Sequence, residues 1–252
     1  MAGHNKWSKV KHRKAVVDKR RSKVWSKVSR AIIVAARHGG GDPNFNLPLR
    51  YAIDEARYAN MPRDVIDRAV QKGAGGGDMS AYENVRYEGY APGGVAVIID
   101  ALTDNRTRTA TDVRNAFNDN GGNLGTGGCV AYLFAARGRI GVKAAGVTED
   151  AIVEASLQAG ALDVLSPDDA GDEDAEWTVL TDVPAYHSVR DALEKGGFTL
   201  GECELGMLPE QWIAVRGEHA KQVMDLVEQL EDLDDVQKVY TNAEIADEPT
   251  ER

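Results

Sequence analysis

The first part of the chain has the hydrophobic period of helices. Between residues 20 and 38, apolar side chains recur every three or four positions and so share one helical face: Val24, Trp25, Val28, Ile32, Ala35 and Ala36. Two shorter helical segments begin at Pro48 and Pro62, since proline suits the first helical position. The pattern predicts a helical domain over residues 1–80, which ends in the linker-like stretch "GAGGGDMS".

Beyond the linker the pattern alternates between strands and helices. Strands are predicted at 93–104, 130–134, 139–143, 161–166, 176–182, 198–205, 211–217 and 237–242, with helices at 106–122, 148–160, 185–197 and 218–233. Each helix has one apolar stripe, so each sheet is expected to be covered on one face only.

The order of these elements predicts the architecture. Residues 139–205 read β-α-β-β-α-β, a complete split βαβ unit, and the flanking segments read β-α-β twice. The predicted class is therefore α+β: a three-helix N-terminal domain followed by two ferredoxin-like α/β domains, one inserted in the other. The outer domain comprises 81–138 plus 206–245, the inserted one 139–205, and 246–252 form an acidic tail.

Composition narrows the class of protein. The 252 residues are 42% hydrophobic and 28% charged, as in soluble globular proteins, and no apolar run is long enough to cross a membrane. The two cysteines, Cys129 and Cys203, have no metal-type spacing, which favours a reducing cytoplasm. The basic, acid-poor first forty residues lack a secretory apolar region, although a transit peptide would share that composition.

Charge is distributed very unevenly. The whole chain has a net charge of −10, yet residues 1–40 contain twelve Lys/Arg and a single acid, Asp18. Residues 150–252 contain six bases and 26 acids. This asymmetry predicts a polyanion partner, nucleic acid, for the N-terminal end. The acidic region is expected to face away from that partner, where it is free to meet a basic protein.

The N-terminal bases are the main candidate site. Lysine and arginine neutralise phosphates, and an exposed tryptophan stacks on unpaired bases. The candidates are Lys6, Trp7, Lys9, Lys11, His12, Arg13, Lys14, Lys19, Arg20, Arg21, Lys23, Lys27 and Arg30. The alternative is a solvated charged tail with Trp7 packed on the third helix. Trp25 lies on the apolar face and is expected in the core.

A second candidate is "TDNRTRT", residues 103–109, at a strand-to-helix junction. Asp104 or Asn105 can cap the helix, and Arg106 and Arg108 lie by its N-terminus, where anions are favoured. The arrangement suits a phosphate contact and equally a capped helix with solvated arginines.

Signals for catalysis are weak. The glycine-rich "GGNLGTGG" at 121–128 follows a helix and precedes a strand, the reverse of a dinucleotide fingerprint, and is interpreted as a loop with positive φ angles. Asp100, Asp104 and Asp112 are a poor basis for a Mg²⁺ nuclease site, because strand-end and capping roles account for them. We expect no enzyme activity, no metal and no cofactor.

Several of these stretches together resemble the YebC/PmpR family. They are "MAGHNKW", "KHRK", "GGGDP", "NMPRD", "YEGYAPGG", "DNRTRT", "GGNLGTGG" with "VAYLF", and "LEDLDDVQKVY". The resemblance implies a helical N-terminal domain and two α/β domains, and its starting at Met1 argues against a transit peptide. This chain departs from the commoner pattern in "VWSKVSRAI", so any specificity of that helix cannot be transferred.

The resemblance implies two functional classes. Members are commonly described as DNA-binding transcriptional regulators, whereas a mitochondrial member activates translation of a cytochrome oxidase subunit. We therefore expect a non-enzymatic nucleic-acid-binding regulator of gene expression, with transcription favoured and a ribosome-associated factor contacting ribosomal RNA as the alternative. Phosphate contacts carry no sequence information, so the residues leave DNA and RNA open.

Overall fold

A computed structural model describes residues 17–75, 82–167 and 175–245, with the side chains of the first helix described from Lys23 onward. The N-terminal unit consists of three helices, α1 (Val17–Gly39), α2 (Leu47–Tyr58) and α3 (Arg63–Ala74). Their apolar faces meet in one core that includes Val28, Ile32 and Leu49. The helical period of the sequence is therefore the cause of this packing.

The short connections fix where these helices begin. Asn46 caps α2: its Oδ1 accepts from the amide of Leu49 at 3.1 Å, while its Nδ2 donates to the carbonyl oxygens of Ala35 and Gly40. Pro62 immediately precedes α3 in an extended conformation. Gly73 permits the close approach of α3 to α1, because a Cβ there would overlap the main-chain oxygen of Ile33.

The outer α/β unit is built from segments at both ends of the remaining chain. Its elements are β1 (Glu83–Ala91), β2 (Val95–Thr103), α4 (Arg106–Asp119) and β3 (Asn123–Leu124), then β8 (Ile213–Val215), α7 (Gly217–Asp232), β9 (Val236–Thr241) and β10 (Ala243–Ile245). The main sheet has the order β3-β1-β2-β9, and β8 pairs with β10 in a separate two-stranded sheet. Helices α4 and α7 cover one face of the main sheet through Phe117 and Leu226.

The inserted unit lies between these two halves in sequence. It consists of β4 (Phe134–Lys143), α5 (Glu149–Ala159), β5 (Asp163–Leu165), β6 (Glu176–Asp182), α6 (Tyr186–Lys195) and β7 (Leu200–Pro209). The sheet order β5-β6-β4-β7 with antiparallel neighbours is the ferredoxin-like order. Its two ends lie side by side: Phe134 pairs with Pro209, and the amide of Glu210 donates to Leu133 O at 2.9 Å.

The structure confirms the predicted α+β class, with a helical N-terminal region followed by sheet-containing units. It also differs from the sequence-based prediction in the outer unit. Strand β1 was not predicted, and it occupies the sheet position next to β2 that a ferredoxin-like order would give to β8. The predicted strand 130–134 is instead a 3₁₀ turn, Ala131–Leu133, before β4 begins. The domain boundaries given above stay predictions.

The outer sheet is also covered on both faces, not one. Val97 and Ile99 of β2 face α4 and α7, whereas Ala96 and Ile98 pack against Val130 on the opposite side. The second layer comes from the segment that precedes β4, which has no helical period and so gave no signal in the sequence.

Contacts also connect the three units. Asp54 of α2 forms an ion pair with Arg190 of α6, and Tyr51 stacks on His187 with ring centroids 4.8 Å apart. Lys238 of β9 lies 3.1 Å from Glu204 of β7 and 3.7 Å from Glu55 of α2. These contacts border a cavity of about 790 Å³ between the units, and its lysine is already paired with carboxylates.

Candidate nucleic-acid interface

The candidate nucleic-acid-binding residues predicted from the sequence fall into three groups. Seven lie outside the residues that the structure describes: Lys6, Trp7, Lys9, Lys11, His12, Arg13 and Lys14. Three belong to α1 but have no described side chains: Lys19, Arg20 and Arg21. Five can be placed with their contacts: Lys23, Lys27 and Arg30 on α1, and Arg106 and Arg108 on α4.

The three placed bases of α1 share one face, as their spacing of four and three residues requires. That face lies against the end of α7. Lys23 Nζ donates to Asp232 Oδ1 at 3.1 Å and to the main-chain oxygen of the same residue at 3.3 Å. Lys27 Nζ donates to the main-chain oxygen of Glu231 at 2.6 Å. The two lysines therefore satisfy carbonyl groups that the C-terminus of a helix leaves without intrahelical partners.

Arg30 extends this contact beyond the helix end. Its Nη1 donates to Asp234 O at 2.9 Å and lies 3.4 Å from Asp235 Oδ1. Burial lowers the pKa of Lys27 below its ordinary value, although the nearby charges of Glu231 and Asp234 partly oppose this effect. The expectation that the acidic region faces away from the basic one is therefore wrong for the end of α7. There, acidic and main-chain oxygens contact the bases of α1, and the net charges of the two segments did not show that they would meet.

Trp25 has the structural role that its position predicts. It packs against the core of the helical unit, and its Nε1 donates to Ala59 O at 2.9 Å. The ring is thus held between α1 and the end of α2 and is a structural residue of this unit.

The start of α4 is capped by Asn105, one of the two capping residues predicted from the sequence. Asn105 Oδ1 accepts from the amide of Arg108 at 3.1 Å. Both candidate arginines are paired: Arg106 Nε lies 3.6 Å from Glu83 Oε1, and Arg108 Nη2 lies 2.8 Å from Asp104 Oδ1 and 2.6 Å from Asp235 Oδ2. Hydrogen bonds to these carboxylates raise the pKa of Arg108, with Asp235 as the larger contributor.

Asp235 joins the two groups of bases, a role that the sequence reading did not identify. Its Oδ2 accepts from Arg108 at 2.6 Å and from the hydroxyls of Thr103 and Thr109 at 3.1 and 2.8 Å, while Oδ1 faces Arg30. Burial alone would raise the pKa of Asp235, but these hydrogen bonds lower it below its usual value. The acidic run in "LEDLDDVQKVY" was the available signal, although it did not reveal the partners.

The glycine-rich loop and the residues directly after it donate backbone amides to the side-chain carboxylate of Glu88. Glu88 is only 5% exposed, and its carboxylate accepts from the amides of Gly128, Val130 and Ala131 at 2.8 to 2.9 Å. Burial would raise the pKa of Glu88, but these three donors, together with Arg86, lower it. The predicted positive φ angles are confirmed at Gly121 and Gly128, with values of 71° and 87°.

The carboxylates considered for a metal site have other partners. Both oxygens of Asp100 accept from Arg86, at 2.7 and 2.9 Å, and Asp104 pairs with Arg108. Within residues 17–75, 82–167 and 175–245, no group of three His, Cys, Asp or Glu side chains is arranged to hold a metal ion. No helix among those same residues is long and apolar enough to cross a bilayer.

Comparison with known proteins gives matches along almost the whole chain. Residues 5–76 match the model of the TACO1/YebC protein N-terminal domain, and residues 82–243 match that of the TACO1/YebC second and third domain. A protein of Burkholderia thailandensis is 50% identical over 98% of this chain and 100% of its own length. One from Pseudomonas syringae pv. syringae is 50% identical over 100% of this chain and 99% of its own. Both are described as a "probable transcriptional regulatory protein".

A solved structure agrees with the fold. The crystal structure of a conserved hypothetical protein from Aquifex aeolicus superposes with a TM-score of 0.84 at 42% identity, covering 98% of this chain and 100% of that one. The resemblance stated from the sequence motifs is confirmed by these matches, and the chain belongs to the TACO1/YebC family.

Proposed function

We propose that this protein is a non-enzymatic nucleic-acid-binding regulator of gene expression, acting on transcription through DNA. The observation that carries the proposal is the segregation of charge: twelve bases and one acid in residues 1–40 of a chain with a net charge of −10. The description of the relatives as "probable transcriptional regulatory protein" supports the same role.

The bases before α1 are the principal phosphate contacts in this proposal. Five bases lie between residues 6 and 14, a density that neutralises several phosphates and releases their counterions. The arginines of α4 are secondary contacts: the side chain of Arg106 is 64% exposed beside Glu83, whereas Arg108 is held by two carboxylates. Trp7 is proposed to stack on an unpaired base.

Charge removal tests this assignment directly. One variant replaces four lysines of residues 6–14, called the arm below, by glutamine (Lys6, Lys9, Lys11 and Lys14). Its control replaces four bases of α2 and α3 by glutamine (Arg57, Arg63, Arg68 and Lys72). Both lose the same charge, and three of the control side chains are at least 70% exposed. Binding to a 20-base-pair duplex DNA is measured by fluorescence anisotropy over a salt series.

The expected result is a change in salt dependence as well as in affinity. Each phosphate contact adds about −0.9 to the slope of log K against log salt, so losing four contacts reduces the slope by about 3.6. The control should keep the wild-type slope. Equal slopes for the arm variant and the wild type would refute the assignment of the arm, and a slope near zero for the wild type would refute nucleic-acid binding altogether.

The kind of nucleic acid needs a separate experiment, because phosphate contacts are common to DNA and RNA. Crosslinking the protein to nucleic acid in cells and sequencing the recovered fragments distinguishes the two. Enrichment of promoter DNA supports transcriptional regulation. Enrichment of ribosomal RNA would overturn that part of the proposal and establish the ribosome-associated alternative.

A basic protein partner for the acidic α/β region stays a prediction. Residues 150–252 carry 26 acids and six bases, which favours such a partner. The end of α7 is not fully available to it, because that part of the acidic surface faces the bases of α1.

A further inference from the structure

The basic face of α1 and the acidic end of α7 form a contact between distant parts of the chain. The first surface consists of Lys23, Lys27 and Arg30, and the second, called the acidic end below, of residues 231–235. We propose that the acidic end is an internal competitor for nucleic acid: it occupies the phosphate-binding face of α1 in the free protein and is displaced when a polyanion binds. This inference rests on the proposed function: it extends the phosphate-binding site proposed there to the basic face of α1 and adds its regulation.

The acidic end presents to α1 the same kind of groups as a nucleic-acid backbone, namely a series of negatively charged or partly charged oxygens. It offers the three bases a row of oxygens: the carboxylate of Asp232, the main-chain oxygens at 231, 232 and 234, and the carboxylate of Asp235. Lys23 and Arg30 are seven residues apart, which is about 10 Å along a helix. Successive phosphates of one strand are spaced about 3.4 Å along the duplex axis, so the same face spans about three of them.

The most exposed part of the contact, between Lys23 and Asp232, is of a kind that phosphates can displace. The side chains of Lys23 and Asp232 are 45% and 63% exposed, and exposed ion pairs are weak and screened by salt. Asp235 does not depend on Arg30, because Arg108, Thr103 and Thr109 hold its other oxygen. Asp235 therefore stays in place when Arg30 turns to a phosphate, so this contact can form again once the nucleic acid leaves.

Competition of this kind sets a threshold for binding. A ligand with one or two charges cannot replace the contacts of all three bases with the acidic end. A nucleic acid that binds the arm and α1 together replaces the contacts of all three bases at once. The alternative is a purely structural contact that fixes α1 on the outer unit. The two readings differ in what happens to this contact when nucleic acid is added.

The first test removes charge from the acidic end. The variant Asp232→Asn/Asp234→Asn is compared with the control Asp225→Asn/Glu218→Gln, which removes the same charge from α7 one or more turns away from the contact. With the 20-base-pair duplex at 0.1 M salt, the variant should bind about fivefold more tightly, because it loses the exposed ion pair of Asp232 with Lys23 and the negative charge of Asp234 near Lys27, each worth roughly 0.5 kcal/mol. The control should change affinity by less than about twofold. Equal affinities for variant and control would overturn the inference.

The second test observes the contact itself. A carbodiimide joins an amine to a carboxylate without a spacer, so Lys23 and Asp232, 3.1 Å apart, should crosslink in the free wild-type protein. Peptide mapping should show that the yield of this crosslink falls as the duplex is added. A yield that is unchanged at saturating duplex would overturn displacement, even if the protein binds nucleic acid normally.

The two proposals fail in different ways. If neither the wild type nor the Asp232→Asn/Asp234→Asn variant binds duplex DNA or a 20-nucleotide single-stranded RNA, the proposed function is overturned and this inference with it. If both bind equally and the salt slope still depends on the arm lysines, nucleic-acid binding stands and only the competition is refuted.

Discussion

The buried carboxylate of Glu88 connects strand β1 to the backbone of residues 128–131. It is almost completely buried, and three backbone amides donate to it: that of Gly128 at the end of the glycine-rich loop and those of Val130 and Ala131 just after it. Hydrogen bonds to a charged acceptor are worth about 1.5–3 kcal/mol each, and neutral ones about half as much. We therefore expect this single side chain to fix the conformation of residues 128–131.

The substitution Glu88→Gln removes the charge with almost no change of shape. Its one carbonyl oxygen can keep the amides of Val130 and Ala131, but its NH₂ group then faces the N–H of Gly128, donor against donor. Two weakened bonds and one lost bond, partly offset by the relief of a buried charge, give a loss of about 2–4 kcal/mol. The control is Glu83→Gln on the same strand, whose side chain is 47% exposed and should matter little.

Hydrogen exchange at individual amides is the appropriate assay, because a chain with several units does not unfold in one step. Exchange at residues 128, 130 and 131 should accelerate in Glu88→Gln by a factor of about 30 or more. The pKa of Glu88 is lowered in the folded protein, so its contribution is present above the unfolded pKa of about 4.3 and is lost as the pH falls below it. Unchanged exchange at these amides above pH 6 would refute the reasoning.

Three further predictions concern packing, pH and the inserted unit. Gly73→Ala should lower the free energy of unfolding of the helical unit by about 2 kcal/mol, because the added methyl overlaps α1, whereas Gly127→Ala, which meets open space, should be neutral in the same thermal melts. Burial lowers the pKa of His187, so the folded protein favours its neutral form, and the free energy of unfolding should fall as the pH drops below about 6.5. Urea titrations should show that His187→Phe reduces this dependence of the free energy of unfolding on pH, and an unchanged pH dependence would contradict the prediction. Excising residues 134–209 and joining the adjacent ends with a short turn should leave a soluble remainder with the circular dichroism of a folded α/β protein, and a fully unfolded remainder would contradict the predicted insertion.

The helices were predictable from the sequence because their period depends on local spacing alone. The apolar positions of α1 from Val28 to Ala36 face the core that they predict, and Asn105 caps α4 as its position before "RTRT" suggests. The inserted sheet was predictable for a related reason: the elements of this unit follow one another without interruption in the order of a split βαβ unit.

The errors arose where tertiary contacts override local preference. "VAYLF" has high strand propensity, yet Glu88 binds the amides of Val130 and Ala131 and holds the segment in a 3₁₀ turn above the outer sheet. Strand β1 contains Asn84, Glu88 and Gly89, which are poor strand formers, and its place in the sheet is fixed by pairing with β2. Among the candidate site residues, the partners of Lys23, Lys27 and Arg30 lie more than 200 positions away, beyond any local pattern.

The long sequence separation between the bases of α1 and their partners has a consequence while the chain is being synthesised. Lys23 leaves the ribosome 209 residues before Asp232, which at about 5–20 residues per second corresponds to roughly 10–40 s. Throughout this interval the basic face of α1 has no acidic end to cover it, and β2 has no β9 with which to pair. The nascent chain therefore presents the bases of α1 uncovered beside ribosomal RNA. This surface is covered only when the acidic end has been made, and the main sheet is completed only when β9 follows it.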